Sequence, residues 1–123
     1  MLFKSRRLIK PEDLNPRGTL FGGVLLSWID EEAAIFAICQ LETEYVVTKL
    51  ISEINFVSPG YQGNVVEIGL EVTKLGTTSI TLKCVVRNKN TGKEIITVDS
   101  IVFVSVGEDG KSKPHGILTP KTE

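Results

Sequence analysis

The residues best suited to chemistry lie between positions 15 and 34, where a polar, glycine-punctuated loop runs into a long apolar segment. Gly22 and Gly23 open the predicted helix, so its first backbone N–H groups have no internal partner and no Cβ shields them. These donors lie at the positive end of the helix and suit a carbonyl oxygen or an anion. Asp30 follows about two turns later among apolar neighbours, where an unpaired carboxylate costs free energy unless it is used. With the amide side chain of Asn15, these are the groups that an acyl-transfer site needs.

The other reactive residue types narrow the chemistry further. The single histidine, His115, lies in a C-terminal segment without periodicity, so a Ser–His–Asp or Cys–His arrangement has no credible base. No cluster of histidine and cysteine has the spacing of a zinc site, and we expect neither a metal nor a cofactor. Hydrolysis would therefore use a carboxylate, either as a base for water or as the nucleophile, and the sequence leaves both roles open.

Each of these assignments has a structural alternative. Asp30 would be a solvated helix residue if its face were exposed, and Glu31 or Glu32 would then be the reactive acid. The amide of Asn15 would equally serve to close a turn, since asparagine is a common turn residue. The glycine pair would in that case do no more than start the helix.

Length, charge and cysteine usage exclude several classes of protein. A chain of 123 residues fits one domain, and a net charge of −1 gives no basic field for nucleic acid. Cys39 and Cys84 lie far apart inside apolar segments, and we interpret both as reduced core residues of a cytosolic protein. The first residues lack a signal-peptide core, and three acids interrupt the apolar helix. We therefore expect a cytoplasmic protein without a membrane span.

The spacing of apolar residues predicts the helix and strands that position the candidate groups. The segment from Gly22 to about Leu41 is apolar over nearly its whole circumference, which predicts a long buried helix. One short strand and a loop precede it, and four longer strands follow. The strands are expected over 2–9, 45–57, 65–75, 78–88 and 95–106, with the loop over 11–19. Short turns between the last three strands predict hairpins and an antiparallel sheet.

We predict an α+β fold in which a five- or six-stranded antiparallel sheet wraps one central helix. Residues 1–107 would form the single domain, and residues 108–123 a loosely ordered tail. Alternate residues of the first long strand would share its apolar face: Val46, Thr48, Leu50, Ser52, Ile54 and Phe56. Thr48 and Ser52 are polar there, and either would line the site or bond to neighbouring backbone.

Four blocks of residues carry a resemblance to a known family. The most specific is Asn15-x-x-Gly18-x-x-x-Gly22-Gly23 followed by Asp30. The other blocks are Asn55-Phe56-x-x-Pro59-x-x-x-Gly63, Lys74-x-Gly76-x-x-Ser79-Ile80, and the pair Asp99 and Phe103. In this order and spacing, over roughly residues 3 to 115, the chain resembles the hotdog-fold acyl-CoA thioesterases. The similarity is greatest to the branch of small bacterial and brain-type cytosolic acyl-CoA hydrolases.

The resemblance implies hydrolysis of acyl-coenzyme A to a free acid and coenzyme A at a subunit interface. Asn15 would come from one chain and Asp30 from its neighbour, with the N–H groups around Gly23 on the thioester oxygen and Gly22 beside them. The site therefore requires at least a homodimer, and the family implies tetramers or hexamers. A dimer would also pair the exposed sheet edge.

Coenzyme A is an anionic ligand, and its expected contacts lie in the last third of the chain. They are Lys74, the turn residues Gly76, Thr77, Thr78 and Ser79, and the tail lysines Lys111 and Lys113. Relatives often carry arginine in place of Thr77, and aspartate in place of Asn64 after Gly63, so the nucleotide contacts are expected to differ in this chain. If the two tail lysines do not contact coenzyme A, they would serve as charges that increase solubility.

Two other functions remain open from the sequence. An acyl dehydratase or a hydrolase for another carrier would keep the fold, but hotdog dehydratases use a histidine that the helix here lacks. A non-catalytic acyl-CoA binder or regulator would have no use for an isolated carboxylate beside Asn15 and Gly23. Loss of turnover on mutating Asp30 would separate the hydrolase from the binder.

Overall fold

The helix that carries the candidate acid begins and ends where the sequence predicts. In the computed structural model, which describes residues 1–122, helix α1 spans Gly22–Leu41. Phe21 is extended just before it, and Glu42 ends it in the left-handed region at φ 57°. One row of α1, at spacings of four residues, is fully buried: Leu25, Ile29, Ala33, Ala37 and Leu41.

Five strands form one antiparallel sheet around this helix. They are β1 (Leu2–Leu8), β2 (Val46–Phe56), β3 (Val65–Leu75), β4 (Ser79–Asn88) and β5 (Glu94–Ser105), and a short 3-10 turn spans Pro11–Asp13. The strand order is β1-β3-β4-β5-β2, so β1 and β2 are the edges. The predicted hairpins β3–β4 and β4–β5 are confirmed, and so is the antiparallel α+β layout with five strands. Helix α1 is not apolar enough over a sufficient length to cross a membrane.

The single chain buries less of α1 than the sequence predicts. Ile35 is 50% exposed and Cys39 is also exposed, because the sheet covers only one side of the helix. Both residues line a cavity of about 630 Å³ between α1 and the β1–β3 side of the sheet. The expectation of burial all round the helix is therefore wrong for an isolated chain.

Strand β2 departs from simple alternation at a point that matters for the site. Thr48 pairs with Phe103, but Leu50 already pairs with Val102, so Lys49 is an extra residue in a β-bulge. As a result Ile51, and not Leu50, packs against the core, and Leu50 is half exposed. Of the six residues predicted to share one apolar face, Val46 and Ile54 pack against the core and Thr48 faces α1. The prediction is wrong for Leu50, because the bulge turns it outward.

The C-terminal segment is anchored at several places, although we expected it to be loose. Up to Thr122 it forms no regular helix or strand, yet Lys113 N–H donates to Ser105 O at 2.8 Å. Further along, Lys121 N–H donates to Gln40 Oε1 at 2.8 Å, and Gln40 returns a bond to Lys121 O at 3.1 Å. Gln40 is almost fully buried, so its amide needs these partners. The tail thus satisfies polar groups of the domain.

The two cysteines differ sharply in environment, which gives a direct test of the fold. Cys84 lies fully buried in the core, and burial raises the pKa of its thiol to about 12. Because the thiolate is the reactive form, Cys84 should resist a thiol reagent at neutral pH, while exposed Cys39 should react. We expect labelling of only Cys39 in the folded protein and of both thiols in denaturant, as read by mass spectrometry. Equal labelling of both in the native state would contradict this core.

Candidate active site

The N-terminus of α1 presents free donors. Phe21 provides no capping side chain, and the first intrahelical bond runs from Leu25 N–H to Phe21 O at 3.1 Å. The N–H groups of Gly22, Gly23 and Val24 consequently have no protein acceptor within residues 1–122. Gly23 is exposed, so its N–H is accessible to a ligand oxygen.

The absence of a side chain at Gly22 has a packing reason. A Cβ added there would lie 3.2 Å from the Phe56 ring, which is tighter than ordinary van der Waals contact. Gly22 therefore lets the end of β2 approach the start of α1. The sequence gives no signal for this contact, because Phe56 is 34 residues away in the chain.

Asn15 lies beside this helix start, and its side chain shapes the loop. Its Oδ1 accepts the N–H of Arg17 at 3.0 Å and of Thr19 at 3.1 Å, and its Nδ2 donates to Thr19 Oγ1 at 2.9 Å. Asn15 and Gly22 share a cleft of about 350 Å³. Within one chain the amide thus has the turn-forming role that the sequence left open.

Asp30 is the carboxylate of α1 that has no cationic partner. Half-buried, it accepts a hydrogen bond from Thr48 Oγ1 to its Oδ1 at 2.8 Å, and forms no ion pair anywhere in residues 1–122. Thr48 is the last regular residue of β2 before the bulge, and its bond to Asp30 shows that its hydroxyl faces α1. One carboxylate oxygen is held in place, and the second has no protein partner in the same range.

The two glutamates next to Asp30 on α1 contact an arginine instead. Glu31 Oε1 lies 3.1 Å and Glu32 Oε2 4.0 Å from Nη2 of Arg7 on β1. The guanidinium of Arg7 also stands 5.6 Å from the centroid of the Trp28 ring. Arg7 is a residue that the sequence analysis did not single out, since nothing in the sequence reports its pairing. Because Arg7 lies within ion-pair distance of both glutamates, the contacts favour Asp30 as the available acid.

One chain forms two half-sites and does not bring them together. Asn15 and Gly22 lie at the start of α1, while Asp30 and Thr48 lie eight helical residues further along. At 1.5 Å per residue the two places are about 12 Å apart along the helix axis. The separation fits a site completed by a second chain.

The residues expected to contact coenzyme A lie at the end of the sheet that also holds Thr48. Ile80, which follows the Gly76–Ser79 turn, pairs with Phe103, and Phe103 pairs with Thr48. Two strand spacings, or about 10 Å, therefore separate the turn from Thr48. The exposed Lys74 precedes this turn at the end of β3.

The two tail lysines do not form an unopposed positive site in the single chain. Lys111 and Lys113 line a cavity of about 850 Å³ together with Glu108 and Asp109. Asp109 Oδ1 accepts the Lys111 N–H at 3.0 Å. Nowhere in residues 1–122 do three or more His, Cys, Asp or Glu side chains come close enough to hold a metal ion.

The Thr48 hydroxyl should orient the acid without holding the fold together. Thr48→Val keeps the shape of the side chain and removes the bond to Asp30, so we expect kcat to fall about tenfold or more. Thr48 is exposed, so the melting temperature should change little. Steady-state kinetics and a thermal scan check both parts, with Thr48→Ser as the variant that restores the hydroxyl. If Thr48→Val and wild type had the same kcat, the bond would have no role in turnover.

Comparisons with known proteins agree with this fold. A family model described as the thioesterase superfamily matches residues 17–95. The acyl-CoA thioester hydrolase YciA of Salmonella typhimurium is 35% identical over 115 residues, which cover 89% of this chain and 86% of that protein. The structure is similar to the hexameric thioesterase y2039 of Yersinia pestis, with a TM-score of 0.84 and 30% identity over 92% of this chain and 93% of that one.

A further similar structure is an acyl-CoA hydrolase from Staphylococcus aureus, solved in complex with butyryl coenzyme A and coenzyme A. Its TM-score is 0.80 at 29% identity, over 89% of this chain and 66% of that one. The resemblance that the sequence motifs indicate is thus confirmed by the family model, by sequence identity and by structure. This chain belongs to the thioesterase superfamily and has its hotdog fold.

Proposed function

We propose that this chain is an acyl-CoA thioester hydrolase that works as a homo-oligomer in the cytoplasm. The observation that carries the proposal is the half-buried Asp30 carboxylate, which is bonded to Thr48. Within residues 1–122 it has no cationic partner, and the first N–H groups of its helix have no acceptor. The relatives described above are named acyl-CoA hydrolases or thioesterases, and the Yersinia enzyme is hexameric.

The proposed reaction uses one half-site from each of two chains. The backbone N–H groups around Gly23 of one chain hold the thioester oxygen and stabilise the negative charge that develops on it. Asp30 of the other chain either takes a proton from the attacking water or attacks the carbonyl carbon itself. In both cases the carbon–sulfur bond breaks, the sulfur leaves as the thiol of coenzyme A, and water supplies the oxygen of the free acid.

Asn15 has a defined task in this scheme. Its side chain fixes the loop before α1 through the bonds to Arg17 and Thr19. The loop thereby sets the position of the helix start against the thioester of the substrate. Neither a metal nor a cofactor takes part in the proposed reaction.

The proposal is tested by release of free thiol from a panel of acyl-CoAs, from acetyl to palmitoyl. We expect turnover on at least one chain length, and the panel also reports the acyl preference. Binding of acyl-CoA without release of thiol from any member would favour the non-catalytic binder instead.

A further inference from the structure

His115 crosses the turn between β3 and β4 with both ring nitrogens engaged. The N–H of Ile117 donates to His115 Nδ1 at 3.0 Å, so Nδ1 carries no proton. The ring proton is therefore on Nε2, which donates to Ser79 O at 3.0 Å. A third bond runs from the backbone N–H of His115 to Thr77 O at 3.2 Å. The three bonds thus fix the orientation of the ring on the turn.

Together with β5, His115 binds the carbonyls of three successive turn residues. Thr77 O accepts from His115, Thr78 O accepts from Ser105 N–H at 2.7 Å, and Ser79 O accepts from His115 and from Gly76 N–H at 2.9 Å. All three carbonyl oxygens are consequently turned towards protein donors.

Two successive residues of the turn keep unpaired donors within residues 1–122. The N–H groups and hydroxyls of Thr77 and Thr78 have no partner among the residues that the structure describes. Thr77 is exposed and Thr78 is half-buried. The carbonyls of this turn are thus bound by protein donors, while exposed Thr77 keeps an unpaired N–H and hydroxyl among the described residues. Unpaired donors on a turn suit a phosphate.

We propose that His115 is a positioning residue that holds the Gly76–Ser79 turn in the conformation that receives a phosphate of coenzyme A. The inference rests on the proposed function, because it names the part of the substrate that this turn binds. It gives the single histidine a task outside the acid–base chemistry.

The test compares two substrates that share an acyl group and differ in the nucleotide. Butyryl-CoA carries the phosphates, and butyryl-pantetheine lacks them. For His115→Ala we expect KM for butyryl-CoA to rise about tenfold with kcat nearly unchanged, because one anchored binding element is lost. KM for butyryl-pantetheine should stay at its wild-type value. A general loss of structure would instead affect both substrates.

Two further variants control the experiment. His115→Gln keeps a side-chain N–H for Ser79 O, and we expect it to recover most of the affinity for butyryl-CoA. Leu118→Ala alters a tail side chain that is 92% exposed and should behave as wild type. An equal rise in KM for both substrates, or no rise for butyryl-CoA, would overturn the inference.

Failure of the proposed function would look different, since wild type would then hydrolyse neither thioester. In that case calorimetric titration with coenzyme A and with pantetheine gives the same comparison without turnover. Weaker binding of coenzyme A alone by His115→Ala would support the positioning role. Equal binding of coenzyme A by the variant and by wild type would overturn it.

Discussion

Replacing Asp30 with asparagine is expected to lower kcat by about 10²–10⁴-fold, the range typical for loss of an essential acid–base group. Asparagine has nearly the same shape, and its Oδ1 can still accept the bond from Thr48 that the structure shows at 2.8 Å. The amide is neither a base nor a nucleophile at neutral pH. The melting temperature should therefore stay unchanged while thiol release is lost. A thermal scan measures the first and steady-state kinetics the second.

Glu31 and Glu32 provide matched controls, since they lie next to Asp30 on the same helix. Both contact Arg7, and partly exposed ion pairs of this kind contribute little to stability. Glu31→Gln and Glu32→Gln should therefore fold and turn over like wild type. Activity that survives in Asp30→Asn and disappears in one of the glutamine variants would transfer the role of acid to that position.

Helix α1 and the hairpins could be predicted because their signals are local. The apolar run from Gly22 to Leu41 and the glycine pair at its start fix the helix bounds to the residue. The turns at Gly76 and Gly92 likewise mark the joints of β3, β4 and β5, where the chain has only to reverse direction. These features depend on residues a few positions apart.

The contacts that shape the site could not be predicted from local sequence patterns, because they join distant parts of the chain. The extra residue Lys49 in β2 is visible only in the register with β5, yet it turns Leu50 outward, although alternation places Leu50 on the same face as Thr48. Arg7 likewise selects among three adjacent acids from a strand that lies before the helix in sequence. Period-two and period-3.6 patterns carry no information about either.

Candidate catalytic residues came from motif spacing, and the structure adds where each one lies. Thr48 was a candidate with two open roles, and its hydroxyl bonds to the side chain of Asp30. For Asn15 the single chain shows only the turn role. Its part in turnover is therefore tested with two chains.

Mixing two inactive variants should restore activity if the site combines Asn15 of one chain with Asp30 of another. In a mixed dimer of Asn15→Ala and Asp30→Asn chains, one site carries both substitutions and the other carries neither. Random pairing makes about half of the dimers mixed, so roughly a quarter of all sites should be intact. We expect thiol release to return from near zero to about that fraction of wild type. Co-expression of the two variants with different tags, followed by purification through both tags, would raise thiol release to about half of wild type.

The controls follow from what each substitution removes. Asn15→Ala deletes the bonds to Arg17 and Thr19, so Asn15→Asp, which keeps the Oδ1 acceptor, serves as a second variant with a better preserved loop. Each variant mixed with itself should stay inactive, which excludes recovery through handling alone. If doubly tagged mixed dimers released no more thiol than their parents, Asn15 and Asp30 would have to act within one chain. The roughly 12 Å between the two half-sites along α1 would then require a rearrangement of the helix start.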